Sequence, residues 1–289
     1  MLHDVLIGPF AEFAFMRRAL VGAIALALSG APIGVFLMLR RMSLTGDAMA
    51  HAILPGAAVG YLFAGLSLTA MTLGGLAAGF TVAILAGAAS RATVLREDAT
   101  MAAFYLLSLA LGVTLVSLKG SSIDLLHVLF GSVLALDDSA LLLLAGIASV
   151  TLVALALLYR PLVLECVDPG FLRTVSRSGP VAHLAFLGLV VLNLVAGFHA
   201  LGTLLAVGVM MLPAATARLW SADVTIMMAV AILAGVASSV GGLLVSYHFS
   251  LPAGPAIILW AGALYLVSLA FGAAGGILAI HFPRRHLEA

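Results

Sequence analysis

Two residues with the chemistry to hold a metal ion stand four apart. In the stretch SLTGDAMAHAILPG, Ser43 to Gly56, a helix starting near Gly46 stacks Asp47 and His51 on one face. A carboxylate oxygen and an imidazole nitrogen one turn apart can share a divalent cation. That donor set suits Zn(II), Mn(II) or Fe(II) better than Cu(I), with zinc favoured over manganese by affinity order. Two ligands do not close a coordination sphere, so water, another helix or a second chain must complete it, as suits an ion in transit. The alternative is that Asp47 only caps a helix at the membrane surface. Insertion energetics favour a pathway, because an ionised Asp near the bilayer centre costs about 2.5–3.5 kcal/mol and such residues usually line a route or a site. Pro55-Gly56 interrupt the helix one turn later, where backbone must bend around a cavity.

The elements that position this pair are membrane spans. Of 289 residues, 64% are hydrophobic and only 9% charged, with a mean hydropathy of +1.25, against roughly a quarter charged in soluble domains. Apolar runs at 19–39, 48–66, 67–90, 99–118, 139–158, 180–198, 200–217, 223–247 and 254–280 predict eight or nine transmembrane helices in an all-α, polytopic integral membrane protein. Helices are required because backbone amides in hydrocarbon need internal partners, and runs such as Leu141 to Leu144 lack the alternation of a barrel strand. With nine spans, ten of the 13 basic residues (Arg40, Arg41, Arg91, Arg96, Arg160, Arg173, Arg177, Arg218, Arg284, Arg285) fall in inner loops. The N-terminus then faces out and the C-terminus in. The step on which this depends is the split at Gly65-Leu66-Ser67.

Residues 1–289 read as a single transmembrane domain. Residues 1–18 predict an amphipathic helix on the outer surface, and 159–180 a cytoplasmic loop in which Asp168-Pro169-Gly170 resembles a helix start and Gly179-Pro180 a stop. Small-xxx-small pairs (Gly30/Gly34, Gly56/Gly60, Gly75/Gly79, Gly272/Gly276) predict close helix packing. Asp124 and His127 in the predicted outer loop after the fourth span, with His199 and His248 at predicted outer helix ends, are outer-mouth candidates whose bland alternative is interfacial solvation. His183, His281 and His286 look structural. A net charge of +1 and a single Lys argue against a nucleic-acid partner, and the lone Cys166 excludes thiolate cages. No G-x-x-x-x-G-K, HExxH or G-x-S-x-G motif is present, so the chain is predicted to be no enzyme.

Four blocks resemble the zinc/manganese/iron permeases of ATP-binding-cassette (ABC) transporters: LRRMSLTGDAMAHAILPG (Leu39 to Gly56), LFGSVLALDDSAL (Leu129 to Leu141), LGTLLAVGVMMLPAATARL (Leu201 to Leu219) and LLVSYHFSLPAGPAII (Leu243 to Ile258). The resemblance implies a vitamin-B12-importer-like (type II) fold in the bacterial inner membrane. It implies a homodimer, with a cytoplasmic ABC ATPase dimer below and a periplasmic or extracellular metal-binding protein above. The cargo would be Zn2+ or Mn2+, with no permanently bound cofactor. Asp47 and His51 match the family's metal-coordinating GDxxxHA block. The loop from Cys166 to Gly179 matches its ATPase-coupling helix, which makes Asp168, Phe171, Arg173 and Arg177 coupling candidates, although FLRTVSRSG departs from the usual Ala/Gly-rich run. The rivals are an ion-coupled secondary metal transporter, an intramembrane hydrolase and an importer of a cobalamin- or siderophore-like ligand.

Overall fold

The computed structural model describes residues 7–65, 67–95, 97–118, 133–167 and 178–281; among these the secondary structure is helical, with no strand. Among the described residues, nine long helices stand one for one against the nine apolar runs: α2 (Ala14–Leu39), α3 (Thr45–Ala64), α4 (Leu68–Ala92), α5 (Glu97–Leu118), α6 (Asp138–Val167), α7 (Ser178–Leu201), α8 (Thr203–Trp220), α9 (Val224–Phe249) and α10 (Ala253–Phe271). Short helices α1 (Gly8–Glu12) and α11 (Ile277–His281) flank them, and a 3-10 turn covers Val133–Ala135. Among the described residues, seven of them are long and apolar enough to cross a membrane by length and composition. The other two are α5, apolar over Asp98–Gly112, and α3, diluted by Asp47 and His51.

Three boundaries move for tertiary reasons. The first span takes in residues 14–18, because Met16 and Ala19 face the core; the helix before it is only Gly8–Glu12, separated by extended Phe13. Helix α6 runs past Tyr159 and through Pro161 to Val167, with Leu162 fully buried. Helix α10 stops at Phe271 because Gly272 closes on Leu219, whose carbonyl accepts from the N–H groups of Ala274 and Gly275.

The small residues lie where helices touch. Helices α3 and α4 form a hairpin about Gly65, whose φ of +64° places it where only glycine is at ease. Gly56 lies on the Gly74 backbone and Gly60 on that of Ala70, at matched distances from the turn. Gly202, at φ +90°, turns α7 into α8 so tightly that Gly197 meets Ala206. Helix α2 is the most buried span, with Gly30 and Gly34 against Met210 and Ala214 of α8. One apolar core, including Phe36, Met49, Ile53, Phe186, Val191 and Met210, locks α2, α3, α7 and α8 together.

Candidate metal site

The turn after α2 seats the candidate ligands. Arg41 adopts φ +60° and the Met42 N–H donates back to the Leu37 carbonyl at 2.8 Å, folding the chain against the turn it has just left. Gly46 consequently abuts Leu37, Met210 and Met211. Helix α3 therefore begins inside the bundle. A methyl group on Gly46 would meet Met210 Cε at 2.8 Å, so a larger residue before Asp47 would displace the end of the Met210 side chain.

Asp47 occupies the first turn of α3 and His51 the next, with His51 Nε2 3.8 Å from Asp47 Oδ1. That is too long for a hydrogen bond. With metal bonds of about 2.1 Å, a near-tetrahedral O–metal–N angle spans roughly 3.4 Å, so a small rotamer change closes the pair on one ion. The other ring nitrogen, His51 Nδ1, is buried and has no hydrogen-bond partner. Helix α5 backs this face: Tyr105 lies 6.1 Å from the His51 ring, the Ser108 hydroxyl donates to the Ala52 carbonyl at 3.0 Å, and Gly112 fits against Pro55. The Asp47 side chain is nonetheless 64% exposed and that of His51 33%, so the pair opens away from the chain's own bundle. Among the described residues no third His, Cys, Asp or Glu completes a metal cluster.

Of the outer-mouth candidates, His248 is not gathered here. Exposed His248 ends α9, its ring 5.3 Å from that of Tyr247. That end of α9 touches the beginning of α2 through Tyr247 and Phe13, whereas the start of α9 packs beside Met38 and Leu39 at the end from which α3 departs. A helix length, about 39 Å for 26 residues, thus separates His248 from the level of that turn. His199 lies in the last turn of α7. Asp124, His127, Asp168, Phe171, Arg173 and Arg177 lie outside the described residues.

A charged cluster escaped the sequence pattern. Arg40 forms an ion pair with Glu165, and its Nη1 donates to His183 Nδ1 at 3.1 Å. Arg40 counts in the sequence only as a positive-inside charge and His183 as structural. The available signal was the placement of Glu165 and His183 on either side of the polar stretch 168–177.

Seven helices long and apolar enough to cross a membrane, among the described residues, define a multi-pass membrane protein. The chain matches the model of the ABC 3 transport family over residues 12–272 and belongs to that family, the metal ABC transporter permeases that its four blocks resemble. It is a multi-pass protein of the bacterial cell membrane. It is 32% identical over 257 residues to the manganese import system permease protein ScaB of Streptococcus parasanguinis, covering 89% of this chain and 90% of that one. With the manganese transport system membrane protein MntC of Halalkalibacterium halodurans it shares 30% identity over 268 residues, 92% and 90% of the two chains. The solved structure of PsaBC from Streptococcus pneumoniae in complex with Fab superposes with a TM-score of 0.83 at 29% identity, covering 97% of this chain and all of that one.

Proposed function

We propose that this chain is the membrane permease of a manganese importer, and that the ion passes between Asp47 and His51 of two copies of the chain. The observation that carries the proposal is the pair itself: two donors 3.8 Å apart, seated by a turn inside the bundle and left open on one side. A second copy related by a twofold axis would supply the same two donors and close the opening, giving a sphere of two carboxylates and two imidazoles. Manganese replaces the zinc preference drawn from affinity order, because the relatives ScaB and MntC are named for manganese. Its taste for oxygen ligands is met by the two carboxylates and by water. An extracytoplasmic protein delivers the ion at the outer mouth. A cytoplasmic ATPase dimer docks on the loop that contains 168–177 and supplies the energy, and the N-terminus lies outside. The chain itself performs no hydrolysis.

Asp47→Asn tests the assignment. In cells stripped of other manganese importers, this variant inserts at the wild-type level and takes up radioactive manganese no faster than cells without the permease. Uptake near the wild-type rate would remove Asp47 from the pathway. Competition by unlabelled Mn(II), Fe(II) and Zn(II) in the wild type ranks the cargoes, and preferential competition by iron or zinc would replace manganese in the proposal.

A further inference from the structure

The Arg40 side chain is 6% exposed, yet it carries a full charge at the end of α2. Its guanidinium is held on three sides. One Nη pairs with Glu165 in the last turn of α6, the other donates to His183 Nδ1 in the second turn of α7, and the plane lies 4.7 Å from the centroid of the Phe186 ring. To accept that hydrogen bond, Nδ1 must carry no proton. The Glu165 and His183 side chains, 20% and 14% exposed, also approach each other to 3.8 Å.

Such clusters rarely add stability beyond what apolar packing would give; their best attested use is to fix one arrangement of elements against others. Here the elements are specific. Helices α6 and α7 are the two that flank residues 168–177, the stretch assigned above to ATPase docking. Arg40 opens the turn that returns the chain into the bundle and seats α3 with Asp47 and His51. Because the fork geometry of a guanidinium binds its acceptors in fixed directions, neither α6 nor α7 can shift against the end of α2 without carrying Arg40 along or stranding a buried charge.

We propose that Arg40, Glu165 and His183 form a positioning strap that carries movement of the ATPase-docking stretch to the turn that seats the metal-ligating helix. The proposal rests on the function above, and its test separates the two. The permease is purified with its ATPase, reconstituted in vesicles with its metal-binding protein, and assayed for manganese uptake and ATP hydrolysis on the same sample. His183→Leu, which removes the acceptor, and Glu165→Gln, which removes the charge, lower ions moved per ATP by about tenfold while hydrolysis stays within about twofold of wild type. His183→Asn, whose amide oxygen can stand in for Nδ1, restores uptake. Unchanged uptake per ATP in His183→Leu, or an equal loss in His183→Asn, overturns the strap; this pair decides the matter even where Glu165→Gln fails to assemble.

A second readout does not depend on the cargo. Leu44, 76% exposed on the same turn, is replaced by Cys in a Cys166→Ser background and labelled with an environment-sensitive fluorophore. ATP shifts its emission in the otherwise wild-type importer and in His183→Asn but not in His183→Leu. An ATP-driven shift that persists in His183→Leu refutes the strap whatever the cargo. A wild-type importer that shows the shift but moves no divalent cation refutes the function and leaves the strap standing.

Discussion

Gly56→Ala isolates the contact that holds the helix of Asp47 and His51 in place. Gly56 packs on the backbone of Gly74, and an added methyl would enter the Gly74 carbonyl and stand 2.6 Å from the Ala78 Cβ. Neither obstacle is the free end of a flexible side chain, so α3 and α4 must part. Overpacking costs about 1–3 kcal/mol, and a backbone obstacle places this case near 3 kcal/mol. Alanine returns roughly 0.8–1 kcal/mol through its better helix propensity, which leaves a net loss of about 2 kcal/mol. At roughly 2–4 °C per kcal/mol, the unfolding midpoint falls by about 4–8 °C. Thermal unfolding of the detergent-solubilised protein, followed by Trp220 and Trp260 fluorescence, measures it. Gly146→Ala in α6 is the internal control: a methyl there meets nothing within 4 Å, so only the propensity gain remains and the midpoint holds or rises. A Gly56→Ala midpoint at or above wild type, or an equal fall in Gly146→Ala, would refute the reasoning.

Three further outcomes follow from single contacts. The Ala140 N–H and then the Ser139 hydroxyl hold the Asp137 carboxyl below its ordinary value of 3.8, so this helix cap stabilises the protein above that value and is lost as the pH falls through the lower folded one. Asp137→Asn, which caps without titrating, matches wild type at neutral pH and overtakes it in unfolding midpoints taken toward pH 3. Thr151→Val deletes the 2.7 Å bond that buried Asn193 Nδ2 makes across α6 and α7, and lowers stability by about 0.6–1.7 kcal/mol in detergent unfolding. Asp47→His exchanges the oxygen donor for nitrogen; the purified variant gains bound zinc by elemental analysis and loses manganese uptake.

What the sequence makes legible is what does not depend on distant partners. The nine runs could be read because hydrocarbon leaves a backbone no alternative to the helix, and the Asp47/His51 pair because a four-residue spacing is fixed by the helix alone. The small-xxx-small pattern announces packing without saying against what; only the fold places Gly56 on Gly74 and Gly34 on the Met210 backbone. Arg40 and His183 are 143 residues apart, and nothing local distinguishes Arg40 from Arg41 beside it. The passage of α6 through Pro161 was equally hidden, since it follows from the burial of Leu162.

The metal-site proposal also constrains how selectivity can arise. Carboxylate and imidazole accept Mn(II), Fe(II) and Zn(II) alike, and at any such site zinc binds more tightly than manganese. A permease that selected by affinity at Asp47 and His51 would therefore hold zinc and stall, because conduction requires binding weak enough to release. An open pair answers this requirement. Each chain contributes two donors, one of them 64% exposed, and leaves the remaining positions to water or a second chain. On this argument the four donors of two copies cannot by themselves reject zinc, and discrimination lies in the protein that delivers the ion.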